Sequence, residues 1–176
     1  QLHPNAPDLL SSTFKGLVIH TADSATNNLG PTYRFGYGLM NTAKASGPLG
    51  NDATNGFRNF IKEVMMTNGQ YIQFPIVSTG GAGNPLSITM CWTDPAGAGN
   101  ALTNLDNPAI KLVNDLDLRV VSPNGTTNLP WILNPDLTNR TSAARSAAAT
   151  TGDDNRNNVE QVYIASPASG TYTVRV

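Results

Sequence analysis

Residues 86–93 read LSITMCWT, and this stretch decides the fold class of the chain. Apolar and polar side chains alternate along it, so that Ile88, Met90 and Trp92 share one face of an extended backbone. A period of two predicts a β-strand that is buried on one side. Similar short stretches on both sides of it predict further strands at residues 61–66, 71–77, 116–121, 159–165 and 171–176.

The segments between these stretches carry turn residues. Asn68-Gly69 separates the first two, and an Asn-Gly pair between two apolar runs is a strong hairpin signal. Pro123-Asn124-Gly125 predicts a turn after residues 116–121. Six or seven short strands joined by turns predict an antiparallel β-sandwich or jelly roll. We therefore predict a mainly β fold over residues 51–176, and we expect the chain to continue beyond Val176.

Residues 1–50 have a different pattern. Four apolar residues at helical spacing predict a helix over residues 9–22: Leu10, Phe14, Leu17 and Val18. Asp8 or Ser11 is predicted to cap the helix, and Lys15 and His20 are predicted on its polar side. A second short helix is predicted after the glycine-rich residues 33–41, ending near Gly47-Pro48. Because two short helices cannot bury a core alone, we expect residues 1–50 to be the end of another domain, with the apolar face against a partner outside the chain.

Charge and cysteine content exclude several classes of protein. Eleven Lys and Arg residues oppose twelve Asp and Glu residues, for a formal net charge of −1. This balance argues against a nucleic-acid or anionic-membrane partner, since both require a basic surplus. No apolar run approaches the roughly 18 residues of a membrane span. Cys91 is the only cysteine, so an internal disulfide framework is excluded.

Acidic residues form the candidate site. Asp115 and Asp117 share one face of a predicted strand, where two carboxylates repel unless a cation or donor lies between them. The loop at residues 152–160 and the end of the 86–93 strand supply further oxygen ligands: Asp94, Asp154, Asn158 and Glu160. Oxygen ligands without His or Cys indicate Ca²⁺. The alternative is that these residues cap turns and face water.

A catalytic site is not predicted within this chain. A serine hydrolase needs a histidine beside a nucleophile and a carboxylate that orients it. The two histidines are His3 and His20, and the chain has no Gly-x-Ser-x-Gly elbow. We predict that His20 is a surface or helix-packing residue and that Cys91 is a small buried residue.

Several motifs resemble those of subtilisin-like serine peptidases (subtilases). Residues 15–23, KGLVIHTAD, and 30–41, GPTYRFGYGLMN, look like the end of a subtilase catalytic domain. The rest is similar to the jelly-roll domain that follows the catalytic domain in calcium-dependent subtilases, akin to the P domain of proprotein convertases. Its matching stretches are 91–95 (CWTDP), 112–118, 122–125 (SPNG), 154–162 and 170–174.

The resemblance implies a non-catalytic, C-terminal portion of a secreted calcium-dependent endopeptidase. Residues 1–50 would be the last helices of the catalytic domain and residues 51–176 the jelly roll. The family's catalytic Asp, His and Ser precede the position of Lys15, so no triad residue is assigned here. The implied partners are the parent's own catalytic domain and, for the intact enzyme, protein substrates; calcium is implied near Asp115 and the 154–160 loop. The alternative is an adhesion or carbohydrate-binding jelly roll, for which Trp131 and Tyr163 are the candidate aromatic residues.

Overall fold

The computed structural model describes residues 9–26, 29–54, 60–99, 109–133, 141, 143 and 146–176. Two helices come first, α1 (Ser11–His20) and α2 (Thr42–Thr54). Within the described ranges eight strands follow: β1 (Gln73–Ser78), β2 (Leu86–Cys91), β3 (Arg119–Val121), β4 (Thr127–Asn128), β5 (Trp131–Ile132), β6 (Thr150–Thr151), β7 (Val159–Ile164) and β8 (Gly170–Arg175). The predicted mainly β fold with a short helical segment before it is confirmed.

The strands form three antiparallel sheets. One has four strands in the order β1-β8-β3-β4, and the pairs β2-β7 and β5-β6 make the other two. In the part of the chain that the structure describes, these sheets do not close into a barrel. Pro75 lies within β1, and β1 is an edge strand, where a residue without a backbone N–H is tolerated.

The core joins the four-stranded sheet to the β2-β7 pair. Its fully buried members are Leu118, Val120, Val162, Tyr172 and Val174. Side chains that alternate along both sheets pack around them, including Phe74, Ile76, Leu86, Ile88, Met90 and Ile164. The predicted inward face of β2 is therefore confirmed at Ile88 and Met90. Trp92 follows the end of β2, and its indole N–H donates to the carbonyl of Asn114 at 3.1 Å.

Helix α1 packs on the other face of β2. A Cβ atom added to Gly16 would lie 3.3 Å from Cβ of Cys91, so the helix and the strand are in direct contact. Leu17 is buried within the chain, whereas Leu10, Phe14 and Val18 are exposed. The prediction that all four apolar residues face an outside partner is thus wrong for Leu17, because α1 already uses part of its surface against β2.

Lys15 and His20 of α1 also contact the β part of the chain. The ammonium group of Lys15 donates to Oδ1 of Asn158, and Nδ1 of His20 lies 3.0 Å from Oγ1 of Thr89. Lys15 is exposed, as expected for a residue on the polar side of the helix. His20, predicted to be a surface or helix-packing residue, is half-buried and packs against β2.

The predicted hairpin around Asn68-Gly69 is wrong in its first arm. The turn is present, since the N–H of Gln70 donates to the carbonyl of Thr67 at 2.9 Å. Residues 61–66, however, form no strand. They are held by the helical segment, because Asp52 accepts hydrogen bonds from the N–H groups of Phe60 and Ile61.

Glu63 strengthens this attachment. Its carboxylate accepts hydrogen bonds from the N–H of Leu10 and the hydroxyl of Thr13, at the start of α1. These bonds satisfy donors that a helix start leaves unpaired. The first turn of α1 is therefore capped by a residue about fifty positions away, and Ser11, a predicted cap, is instead the first helical residue. Asp8, the other predicted cap, lies outside the described residues.

Two element boundaries also differ from prediction. Helix α2 does not end at Gly47-Pro48 but continues through Pro48 to Thr54. The oxygen of Asn41 accepts a hydrogen bond from the N–H of Lys44 and so caps the start of this helix. The predicted domain boundary after residue 50 falls inside α2. Finally, the strand predicted over residues 116–121 begins only at Arg119, because the N–H of Leu118 is bound by a side chain.

Candidate metal centre

The side chain that binds Leu118 is Glu160, the central residue of the candidate site. Glu160 lies on β7 two residues before Val162, so both side chains point to the core face of the strand. Its exposure is 0%. Oε2 accepts the N–H of Leu118 at 2.6 Å, while Oε1 is buried and has no hydrogen-bond partner among the described residues. A buried carboxylate oxygen without a partner carries a large desolvation cost.

Two aspartates, Asp117 and Asp154, lie close enough to Glu160 to act on its charge. Asp115 and Asp117 alternate with the inward-facing Leu116 and Leu118, as predicted, although this segment is not a strand. The guanidinium group of Arg119 donates to Asp117 at 3.0 Å and also pairs with Asp153. Within the described part of the chain, Arg119 is the basic residue paired with this carboxylate cluster. We call the set Asp115, Asp117, Asp153, Asp154 and Glu160 the acidic cluster.

Burial is the main cause of raised pKa values in three members of the acidic cluster. Burial raises the pKa of Glu160 to about 8, against the opposing effects of the Leu118 N–H and Arg119. The pKa of Asp117 is raised by burial and by its interaction with Asp153. Burial and the charges of Asp153 and Asp154 raise the pKa of Asp115. These three shifts disfavour the ionised forms, whereas the hydrogen bond from Arg119 lowers the pKa of Asp153. A cation that entered beside the three carboxyls would be electrostatically favoured.

Asp154 has an internal role in its loop. It is 7% exposed, and Oδ1 accepts the N–H groups of Arg156 at 3.0 Å and Asn157 at 3.2 Å. Oδ2 accepts the side-chain amide of Asn157 at 2.8 Å. These bonds fix the turn that leads into β7. They leave the charge of Asp154 without an ion pair among the described residues.

Two of the predicted ligands lie in other interactions. Asp94 accepts the N–H groups of Val113 at 2.7 Å and Asn114 at 2.8 Å, and the hydrogen bond from Val113 is the main reason that the pKa of Asp94 is lowered. The amide of Asn158 donates to the carbonyl of Trp92 at 2.9 Å, and its oxygen accepts Lys15. Both residues connect segments of the fold.

The fit of this site to a metal ion is partial. No three His, Cys, Asp or Glu side chains of the described residues are arranged as a ready metal centre. The unpartnered Oε1 of Glu160 and the exposed Asp115 and Asp117 provide hard oxygen donors of the type that calcium prefers. Arg119 occupies the position of the counter-ion in this structure, so a bound cation would compete with it for Asp117 and Asp153.

Sequence reasoning missed two members of this site, Asp153 and Arg119. Asp153 directly precedes the predicted Asp154 in a loop dense in polar residues, where no periodicity distinguishes one acidic residue from the next. Arg119 is recognisable only by its spacing of two from Asp117, which places both on the same side of an extended chain.

A separate set of polar contacts links α1 to the β2-β7 sheet. His20 contacts Thr89, whose hydroxyl also accepts the amide of Gln161 at 3.0 Å. Burial lowers the pKa of His20 below 6.5. In the unfolded chain His20 therefore binds a proton more readily than in the folded protein.

We expect this difference to make stability pH-dependent. The contribution of neutral His20 is complete above pH 6.5 and is lost as the pH falls below that value, because protonation then favours the unfolded chain. The His20→Gln variant cannot titrate at this position. Chemical denaturation on both sides of pH 6.5 should show a smaller loss on acidification for the variant than for the wild type. Equal losses in the two proteins would contradict the assignment.

The two aromatic residues considered for a carbohydrate-binding or adhesion site lie in different sheets. Trp131 is on β5 and Tyr163 on β7. The ring of Trp131 packs on the backbone of Gly30, where an added Cβ would lie 2.7 Å from it. Beside this ring is a small cavity of about 90 Å³ that Tyr37, Trp131, Asp154 and Asn157 help to line. Trp131 thus serves to pack the N-terminal segment on the sheets.

No protein-family model matches the chain, and no curated protein sequence matches it. None of the described helices is long and apolar enough to cross a membrane.

Proposed function

We propose that this chain is the non-catalytic C-terminal portion of a secreted, calcium-dependent subtilisin-like serine endopeptidase. Its β-sheets, in the proposed jelly-roll arrangement, stabilise the protease by binding calcium and packing beside the catalytic domain. The motif resemblance supports the family, and the observation that carries the calcium function is the buried Glu160 with an unpartnered oxygen in the acidic cluster.

Calcium would supply the positive charge that the acidic cluster lacks. We propose that calcium is held by Glu160, Asp115, Asp117 and Asp154. Two further predicted ligands, Asp94 and Asn158, hold neighbouring segments of the chain in place through their hydrogen bonds. These residues lie far apart in sequence and meet only in the folded chain. Binding is therefore expected to be coupled to folding.

The N-terminal segment supports the second part of the proposal. Between residues 10 and 40 it exposes many large apolar side chains: Leu10, Phe14, Val18, Leu29, Tyr33, Phe35, Leu39 and Met40. Exposed apolar surface of this extent is typical of an interaction site. In the proposed parent enzyme, the preceding part of the catalytic domain covers this surface.

We expect the melting temperature to rise with Ca²⁺ and to fall with a chelator. A ligand bound only by the native state at about one hundred times its Kd adds about 2.7 kcal/mol to the free energy of unfolding. Asp117→Asn should reduce this response, since it removes one charge from the acidic cluster. The measurement is thermal unfolding by circular dichroism across a calcium titration, with calorimetry to detect binding.

Asp23→Asn is the matched control. Asp23 pairs with Lys44 and accepts the amide of Asn41 at 2.7 Å, so it connects the N-terminal segment and is remote in sequence from the acidic cluster. The same Asp-to-Asn change there should leave the calcium response intact. A melting temperature that is indifferent to both calcium and chelator, with no heat of binding, would refute the calcium function.

A further inference from the structure

The two Asn-Gly pairs that the structure describes differ in the hydrogen bonds of the two groups that react in deamidation, the asparagine side chain and the glycine N–H. Asn68-Gly69 and Asn124-Gly125 both lie in exposed turns, and both glycines have positive φ, 74° and 87°. Both have open space where a Cβ would stand. The pairs are therefore matched in sequence, exposure and backbone class.

Their glycine N–H groups have different partners. In the second turn the N–H of Gly125 donates to the carbonyl of Ser122 at 2.9 Å. In the first turn the closing bonds join Thr67 and Gln70, through the backbone at 2.9 Å and through the Gln70 side chain at 2.9 Å. Among the described residues, nothing binds the N–H of Gly69 or the side chain of Asn68.

We propose that Asn68 is a site of spontaneous deamidation, with water as the co-reactant. The backbone nitrogen of Gly69 loses its proton to water and attacks Cγ of Asn68. A new N–C bond closes a succinimide ring, the Cγ–Nδ2 bond breaks, and Nδ2 leaves as ammonia after taking up a proton. Water then opens the ring at one of its two carbonyls and leaves either aspartate or isoaspartate.

Two hydrogen bonds distinguish Asn124 from this site. The oxygen Oδ1 of Asn124 accepts the N–H of Thr126 at 3.1 Å, and the N–H of Gly125 is bound to Ser122. Attack by Gly125 first requires its hydrogen bond to Ser122 to open, which costs about 1 kcal/mol and corresponds to a rate lower by about fivefold. Each event at Asn68 also replaces a neutral amide by a carboxylate. The formal net charge of the chain, −1, then becomes −2.

Peptide mapping by mass spectrometry of the intact chain, aged at mildly alkaline pH, tests the proposal. We expect the peptide with Asn68 to deamidate about fivefold faster than the peptide with Asn124 in folded protein. In urea, where both turns are lost, the two rates should converge. Asn68→Gln should remove the fast component, because the larger ring forms much more slowly.

Two results would overturn the proposal. One is an equal or higher rate at Asn124 in the folded protein. The other is a lead of Asn68 that persists unchanged in urea, since the cause would then be local sequence and not these hydrogen bonds. A third Asn-Gly pair, Asn55-Gly56, lies outside the described residues and is followed on its own peptide.

Discussion

Glu160→Gln is expected to stabilise the calcium-free protein and to abolish its response to calcium. The variant keeps an oxygen to accept the Leu118 N–H but removes the carboxylate that burial disfavours. The unfolded chain ionises Glu160 near pH 4.5, whereas the folded protein holds the proton until about pH 8. Stability of the calcium-free wild type therefore falls as the pH rises through this range, and at neutral pH we expect the variant to gain about 1–3 kcal/mol.

Glu63→Gln is the control for this change. Glu63 is exposed and caps α1 through Leu10 and Thr13, so the same substitution there should leave the calcium response unaltered. Denaturant titrations of both variants and the wild type, with and without calcium, give the comparison. If Glu160→Gln were less stable than the wild type without calcium, or still responded to calcium, the role assigned to Glu160 would be wrong.

Tyr172→Ala is expected to cost about 3–5 kcal/mol, because it removes a large aromatic side chain from the core. Tyr172 is 1% exposed and packs with Val120 and Val174. A loss of this size is comparable with the whole stability of many single domains. We therefore expect the sheets to unfold at a much lower denaturant concentration.

Tyr71→Ala provides the comparison for this core substitution. Tyr71 is 60% exposed. Both tyrosines donate one hydrogen bond through the hydroxyl, Tyr71 to the side chain of Gln73 and Tyr172 to the carbonyl of Ala168. The control should change stability by less than about 0.5 kcal/mol. Equal midpoints for the two variants in equilibrium denaturation would show that the core is not centred on Tyr172.

Alternation of apolar residues was sufficient to predict the strands that line the core. Alternation is clear in β2, at Ile88 and Met90, and in β8, at Tyr172 and Val174. In β7 it is interrupted, because Glu160 lies on the same face as Val162. Residues 61–66 carry the same β-type composition but are not a strand. The start of this segment is bound by Asp52, through the N–H groups of Phe60 and Ile61. No local pattern in the sequence reveals that contact.

The candidate site was predictable only in part, for a similar reason. Asp115 and Asp117 were recognisable from their spacing, since an acidic pair on one side of an extended chain requires compensation. Asp94 was grouped with them because it ends a neighbouring strand, yet its oxygens bind the backbone of Val113 and Asn114. Glu160 is buried because two sheets pack around it. The sequence alone does not reveal that packing, since a glutamate in a strand is usually exposed.

The close approach of Gly16 to Cys91 makes the only thiol of the chain a reporter of helix docking. A Cβ added to Gly16 would lie 3.3 Å from Cβ of Cys91, so α1 covers one side of this half-buried residue. Burial also raises the pKa of Cys91, which lowers the fraction of reactive thiolate. The labelling rate of Cys91 should therefore rise when α1 separates from β2, and a bulky label at this position would oppose redocking of the helix.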